Sequence, residues 1–254
     1  MTAPLTRRAA LQRAAFIAAG AAVGSQFLAG PGYASARNPE LNKLREAVKR
    51  AEERARQRKE HVSTGIPSKN GWEMEKVADD RGHIYTRPAP GTPIEVQVRM
   101  GEVETILVHV IRRFHYEVDT LLSNEDVVGW RAPHTVRRNL AESNQASGTA
   151  VQIRPGHYPA SARGGFYPQQ ELVIRDILAE LDGVVRWGGD DRKPDESLFY
   201  IDLKPGDPRL AKAAQEIRGW KDTPGMGAGS GIDITSPARR STAKKLARLQ
   251  RTHG

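Results

Sequence analysis

Apolar residues recur at steps of three and four positions in four parts of the chain, which is the pattern of an amphipathic helix. The four parts are residues 38–60, 103–122, 171–181 and 207–220. In the first part the apolar stripe is thin, running from Leu41 to Ala55 among alternating acidic and basic residues. We predict a solvated helix there that packs weakly on the main domain, or alternatively a short coiled coil with a partner protein.

Runs of β-branched and aromatic residues predict short strands between and after these helices. The runs lie at residues 84–86, 94–98, 127–130, 184–187 and 198–201. In the second run Ile94, Val96 and Val98 alternate with polar residues, which predicts one buried and one exposed face. Residues 64–71 are rich in glycine, proline, serine and asparagine, and this composition predicts a loop.

The N-terminus has the three-part layout of a secretory signal. Arg7 and Arg8 precede an alanine-rich apolar stretch, and Ala34-Ser35-Ala36 follows as a small-residue cleavage site. The paired arginines indicate the twin-arginine route, and the apolar stretch is shorter than the roughly 20 residues of a membrane anchor. We predict a twin-arginine signal peptide over 1–36 and an extracellular or wall-associated mature protein. The alternative is an uncleaved amphipathic helix.

The C-terminal part differs in composition from the rest. Residues 224–231 are mostly glycine and other small residues, and the stretch beyond Ser236 has six basic residues and no acidic one. This composition predicts a flexible basic tail over 223–254, disordered or transiently helical. The chain then divides into the signal peptide, a charged helix over 37–63, a main domain over 64–222, and the tail.

Bulk composition limits the chemistry and the partners. The 254 residues carry a formal charge of +9 and have a mean hydropathy of −0.57. Because the chain has no cysteine, disulfides, thiolate metal ligands and a cysteine nucleophile are all excluded. The positive charge favours anionic partners such as wall polymers or lipid headgroups. Since export separates the protein from most nucleic acid, we expect no nucleic-acid partner.

Four short motifs follow one another in the main domain. They are GWRAP at 129–133, SNQASGTAVQI at 143–153, WGGD at 187–190 and DESLFYID at 195–202. Their order resembles the zinc D-alanyl-D-alanine carboxypeptidases and L-alanyl-D-glutamate peptidases of bacteria and phages. In that family a G-Y-R-S-like turn precedes S-x-H-x-x-G-x-A-x-D, W-G-G and E/D-x-x-H-F-E. The resemblance extends over about residues 70–220 and implies an α+β fold: a small, mainly antiparallel sheet with packed helices and a carboxypeptidase-like core.

The zinc ligands of the family fall on residues that are poor ligands here. By this resemblance the two histidines fall on Gln145 and Leu198, and the aspartate falls on Gln152. Zinc sites need imidazole, carboxylate or thiolate groups, whereas an amide binds zinc weakly and leucine has no lone pair. Asp195 matches the general base of the family, and Arg131 matches an arginine that resembles a substrate anchor. We therefore expect no cofactor where the family has zinc. Without the metal, the attacking water keeps its bulk acidity.

These matches favour a non-catalytic protein that binds peptidoglycan stem peptide or another anionic wall component. The binding residues implied are Arg131, Gln145, Gln152, Asp195 and, from the turn at 154–159, His157. The charged composition of residues 190–193 predicts a solvated loop next to Asp195. Two alternatives remain: an active wall carboxypeptidase or endopeptidase with an altered metal site that uses His134 or His157, and an extracytoplasmic scaffold with a protein partner on residues 39–60.

Overall fold

The computed structural model describes residues 39–252, apart from the side chains of Pro39 and Leu41. The predicted signal peptide at 1–36 therefore lies outside the described residues. Within the described part, no helix has the length and apolar character that crossing a membrane requires. The described residues divide into two units, with the boundary between residues 50 and 51.

Helices and short antiparallel strands together confirm the α+β class. The helices are α1 Pro39–His61, α2 Glu102–Glu117, α3 Ser143–Ala146, α4 Pro168–Glu180, α5 Pro208–Lys221 and α6 Pro237–Thr252. The strands are β1 Ser63–Pro67, β2 Glu73–Glu75, β3 Ile84–Pro88, β4 Glu95–Arg99, β5 Val127–Val128, β6 Ala150–Ile153, β7 Val185–Trp187 and β8 Leu198–Ile201.

The strands form three sheets instead of the single sheet that was predicted. β1 pairs with β2, β3 pairs with β4, and the largest sheet has the order β5-β6-β8-β7. All the pairings are antiparallel. The β1–β2 hairpin includes part of the predicted loop at 64–71, because backbone pairing accepts the glycine and the terminal proline of this short strand.

Side chains of the four-stranded sheet alternate between two environments. Val151 and Ile153 of β6, with Phe199 and Ile201 of β8, belong to the main core beneath α2, α4 and α5. On the opposite face, the intervening residues Ala150, Leu198 and Tyr200 form a small separate cluster with Ala141. Since successive side chains of a strand point to opposite faces, one face of this sheet closes the main core, and the other is buried in the smaller cluster near α3.

α1 confirms the helix predicted at 38–60, and all its described side chains are exposed. Its last turn contacts the segment before β3. His61 Nε2 lies 2.7 Å from Asp80 Oδ2, and Lys76 Nζ donates to the carbonyl of Glu60 at 2.8 Å. The apolar stripe over the rest of α1 is not buried by the described residues.

The tail differs from the flexible segment that its composition predicts. Residues 237–252 form α6, which packs against α4 and buries Ala243 and Gln250. Arg239 donates two hydrogen bonds to Asp176, at 2.6 and 2.7 Å, and Gln250 Nε2 donates to the carbonyl of Val185 at 3.0 Å. The expectation of disorder therefore does not describe these residues, because the acidic partners that they need lie elsewhere in the chain.

A buried ionic network joins α2 to α4. Arg113 is fully buried, and its guanidinium donates to Asp176 at 3.0 Å and to Glu180 at 2.5 Å. It also donates to Glu117 on its own helix, at 2.6 Å through Nη2. His109 Nε2 lies 3.1 Å from Glu180 Oε2. Each buried charge has at least one partner of opposite charge, which offsets the cost of removing it from water.

The two neighbouring arginines at the start of α6 provide a matched test of its docking. Arg239 pairs with the buried carboxylate of Asp176, whereas the side chain of Arg240 has no hydrogen bond or ion pair within residues 39–252. We expect Arg239→Ala to lower the free energy of unfolding by about 1–2 kcal/mol, since Asp176 keeps only Arg113. Arg240→Ala should change it by no more than about 0.5 kcal/mol. Urea unfolding measures both, and equal values would mean that α6 is not docked as described.

Acid should destabilise the protein through Glu180. Burial raises the pKa of this carboxyl, but the hydrogen bond from His109 and the charge of Arg113 outweigh it and lower the pKa from 4.5 to about 2. A depressed pKa stabilises the fold above pH 4.5, and this contribution is lost as the pH falls towards 2. Its size is on the order of 3 kcal/mol. We expect Glu180→Gln to flatten the loss of stability over this pH range, measured by urea unfolding, while the exposed control Glu216→Gln leaves it unchanged.

Candidate functional site

Two of the predicted site positions lie side by side on the face of the four-stranded sheet that points away from the main core. Gln152 of β6 pairs with Leu198 of β8 on one side and with Val128 of β5 on the other. Directly opposite residues of antiparallel strands point their side chains to the same face, with Cβ atoms about 5 Å apart. Gln152 and Leu198 are therefore neighbours, and both are buried.

Gln145 reaches the same region from α3. It is fully buried, and its Nε2 donates to the carbonyls of Val128 and Gly129 at 3.2 and 3.0 Å. These two acceptors decide the orientation of the amide. Its Oε1 is left buried and without a hydrogen-bond partner among the described residues.

Gly148 makes the turn that brings α3 back to β6. Its φ is +68°, and a Cβ on it would lie 2.8 Å from the backbone nitrogen of Arg99 and 2.8 Å from Ile84. A larger residue would have to displace backbone, so glycine is required here. The glycine of the second motif therefore acts by positioning Gln145 and Gln152 relative to each other.

Asp195 is buried and lies against Gln152. Its Oδ2 accepts a hydrogen bond from Gln152 Nε2 at 2.9 Å. Its Oδ1 accepts from the backbone nitrogen and the hydroxyl of Ser197, at 3.1 and 2.6 Å. Both oxygens of this carboxylate therefore have donors within the protein.

The WGGD motif supports Asp195 through the backbone. The carbonyl of Gly188 accepts hydrogen bonds from the backbone nitrogens of Asp191 and Asp195, at 3.1 and 3.0 Å. A Cβ on Gly188 would lie 2.6 Å from the carbonyl oxygen of Asp195. The WGGD motif and the start of the DESLFYID motif are thus packed against each other. A side chain at Gly188 would prevent this close approach, so glycine is required there.

A narrow cleft beside Asp195 opens to solvent between two loops. Its volume is about 30 Å³, and Arg137, Glu142, Lys193 and Leu198 line it together with Asp195. One or two water molecules, or a single carboxylate, fill such a space. The cleft shares Leu140, Ala141, Asp191 and Lys193 with a wider cavity of about 370 Å³ that Lys69 and Arg192 also line. The two cavities form one groove with a narrow polar end and a wide basic end.

Charges at the narrow end are mostly paired. Arg137 donates to both oxygens of Glu142, at 2.8 and 3.0 Å. This hydrogen bonding lowers the pKa of Glu142 against the opposing effect of burial, and the charge of Arg131 lowers it further. Arg131 itself is half-buried and has no hydrogen bond or ion pair with any residue in 39–252. Its guanidinium is close enough to Glu142 to affect that carboxylate electrostatically.

Residues 190 and 191 are buried, in contrast to the solvated loop that the sequence predicts. Asp190 forms a salt bridge with Arg175 and accepts from Arg251 at 3.0 Å. Asp191 accepts from the Tyr200 hydroxyl and from Arg186, both at 2.9 Å. Strand alternation could have placed Arg186 and Tyr200 on the same face as Gln152, because each is flanked in its strand by core residues. Asp191, the acidic partner of both, lies outside a strand, so no alternation in the sequence indicates it.

The two candidate histidines do not join this cluster. His134 and His157 are exposed, on a short turn and on the turn that follows β6. Hydrogen bonds from Ser123 lower the pKa of Asp126 against the opposing effect of burial, and the charges of Arg154 and His157 lower it further. Among the described residues His157 makes no hydrogen bond or ion pair with Arg131, Gln145, Gln152 or Asp195. Residues 39–252 contain no group of three or more His, Asp or Glu side chains arranged to hold a metal ion.

Comparison with protein-family models, with curated proteins and with solved structures finds no match to this chain. The geometry of the site is therefore the basis for the functional argument.

The convergence of positions 145, 152 and 198 makes a metal site testable. We expect the combined variant Gln145→His, Gln152→Asp and Leu198→His to bind zinc, because it offers two imidazoles and a carboxylate on one sheet face. Without zinc this variant should be less stable than the natural protein, since a new buried carboxylate would face Asp195. Zinc should then raise its melting temperature, which thermal denaturation with and without a chelator measures.

Leu198→His alone is the control, and we expect no rise in melting temperature with zinc because it provides one new ligand. A triple variant that folds but shows no stabilisation by zinc would mean that the three positions do not share a site. Stoichiometric zinc in the natural protein would contradict the assignment of Gln145, Gln152 and Leu198 as non-ligands.

Proposed function

We propose that this protein is a non-catalytic relative of the zinc peptidases of peptidoglycan, and that it binds stem peptide or another anionic wall component outside the membrane. One observation carries the proposal. Two of the residues that the resemblance assigns to the former metal site, Gln152 and Leu198, are strand partners, and both hydrogen-bond to Asp195.

The pairing supports the resemblance because Gln152 and Leu198 belong to different motifs that lie far apart in the sequence. Here Gln152 and Leu198 are direct strand partners, and Gln145 donates to the carbonyl of Val128, the other strand partner of Gln152. The carboxypeptidase-like core remains part of the proposal.

The hydrogen bonding of Asp195 favours binding over hydrolysis. Both oxygens of Asp195 accept hydrogen bonds, from Gln152 and from Ser197. These donors hold the buried carboxylate in one orientation at the wall of the cleft, which suits a fixed polar contact to a ligand. A rebuilt metal site is the less favoured alternative.

The groove has the charge distribution that an anionic peptide requires. Arg131 acts electrostatically on Glu142, which lines the narrow end, and its guanidinium could form two parallel hydrogen bonds with the carboxylate of a ligand. Exposed Lys69, Arg192 and Lys193 surround the wide end. A terminal carboxylate would fit the narrow end, and the rest of the ligand would extend along the basic part of the surface.

A second candidate function is attachment of a partner protein to α1. Leu44 and Val48 are one helical turn apart, and 52% and 49% of their surfaces are exposed. Apolar residues spaced in this way form the contact stripe of helix pairs. This scaffold role is compatible with ligand binding in the groove.

Two arginines of one loop allow a matched binding test. Arg131→Gln should weaken binding of a purified stem peptide with a free terminal carboxylate by about 10- to 100-fold, the usual cost of losing a charged hydrogen-bonded pair. Arg138→Gln removes the same charge from an exposed side chain outside the groove and should change affinity less than about threefold. Isothermal titration calorimetry measures both, and amidation of the terminal carboxylate should abolish the difference between the variants.

A further inference from the structure

We propose that a second anion-binding site lies between α4 and α6, and that its ligand is a linear phosphodiester polymer without bases. The site is a cleft of about 340 Å³ on a different part of the domain from the sheet-face groove. It rests on observations that the stem-peptide proposal does not use.

The cleft combines an apolar floor with a basic rim. Pro168, Leu172, Ala243 and Ala247 contribute the floor. Arg240, Lys244 and Arg248 line the rim from α6 at intervals of four residues. With a rise of 1.5 Å per residue, their backbone positions are spaced by about 6 Å along the helix. A row of cations at a regular spacing matches a ligand with repeated charges better than a single anion.

The charges of this rim are not neutralised. Arg175 and Arg251 also line the cleft, but both pair with Asp190 and Glu171. The side chains of Arg240, Lys244 and Arg248 are exposed and have no hydrogen bond or ion pair with residues in 39–252. Since α6 contains no acidic residue, the three free cations leave the cleft with an excess of positive charge.

Docking of α6 keeps these cations in place. Arg239 is bonded to buried Asp176, Arg251 to buried Asp190, and Gln250 to the carbonyl of Val185. These contacts lie at the two ends of the helix, and the three free cations lie between them along the sequence. A helix held in this way loses little conformational entropy when a ligand binds.

The surroundings favour a polymer over a membrane or a nucleic acid. A helix that inserts into a membrane interface needs an exposed apolar face. On α6 Ala243 is buried and Leu246 packs against the core. Leu249 is then the one large apolar side chain that is exposed on this helix. Single-stranded nucleic acids are usually held by aromatic side chains that stack on bases, and the residues that line the cleft include no aromatic one.

The test compares two triple variants of the full chain that remove the same charge. Arg240→Gln, Lys244→Gln and Arg248→Gln remove the rim cations. Lys43→Gln, Arg45→Gln and Lys49→Gln remove three exposed cations of α1. Binding of fluorescent poly(glycerol phosphate) is measured by anisotropy at several salt concentrations. We expect the rim variant to bind at least tenfold more weakly and to reduce the slope of log affinity against log salt by about 2. The α1 variant should bind within threefold of the natural protein.

We expect the rim variant to keep the melting temperature of the natural protein, because the three side chains have no partners. An unchanged melting temperature would show that weaker binding does not result from unfolding. Equal losses in both variants would overturn the site, because binding would then depend only on net charge. Tighter binding of oligothymidylate or of phosphatidylglycerol vesicles than of the polymer, per phosphate, would overturn the assigned ligand class. Arg131→Gln should leave polymer binding unchanged, which separates failure of this proposal from failure of the stem-peptide proposal.

Discussion

The antiparallel pairing of β6 with β8 is the constraint on which the rest of the structure depends. Each strand is only four residues long, and each alternates between the two faces of the sheet. The pairing aligns Val151 with Phe199 on the core face and Gln152 with Leu198 on the other. A shift of one residue would exchange the two faces. Core packing and site geometry are therefore determined by the same register.

Burial of carboxylates is the second feature that shapes the fold. Asp176, Asp190, Asp191 and Asp195 are all buried, and each has a donor in a different segment of the chain. A buried charge without a partner is strongly destabilising. The arginines that meet these carboxylates therefore have a structural role, and two of them, Arg239 and Arg251, explain why a helix of such basic composition docks on the domain.

The site face combines two kinds of polar group. Asp191 and Asp195 have their hydrogen bonds satisfied by neighbouring side chains, and this rigidity suits a scaffold more than a reacting centre. Arg131, together with the exposed cations of the wide end, remains free to meet a ligand. This division, with fixed carboxylates inside and free cations at the edge, is the basis on which we propose that the groove binds an anionic ligand.

The sequence by itself determined the elements whose signals are local. Helical periodicity placed α2, α4 and α5 to within a few residues, and runs of apolar residues located β3, β4, β7 and β8, because both patterns record which side of a single segment is buried. The motif order also indicated Gln145, Gln152, Asp195 and Leu198 as one group. In the structure Gln152 and Leu198 are strand partners, and Gln152 donates to Asp195, while Gln145 donates to the backbone of Val128 and Gly129.

Only the tertiary structure decided the features that depend on distant partners. α6 has a weak apolar stripe, and its docking requires Asp176 and Asp190, which are far from it in the sequence. Residues 190 and 191 have the composition of a solvated loop but are buried, because Arg175 and Arg186 meet them across the fold. His157 lies four residues after the end of β6 and is exposed, whereas Gln152 within the strand is buried. Local composition reports whether a residue is polar, and the fold decides whether a polar residue finds a partner inside.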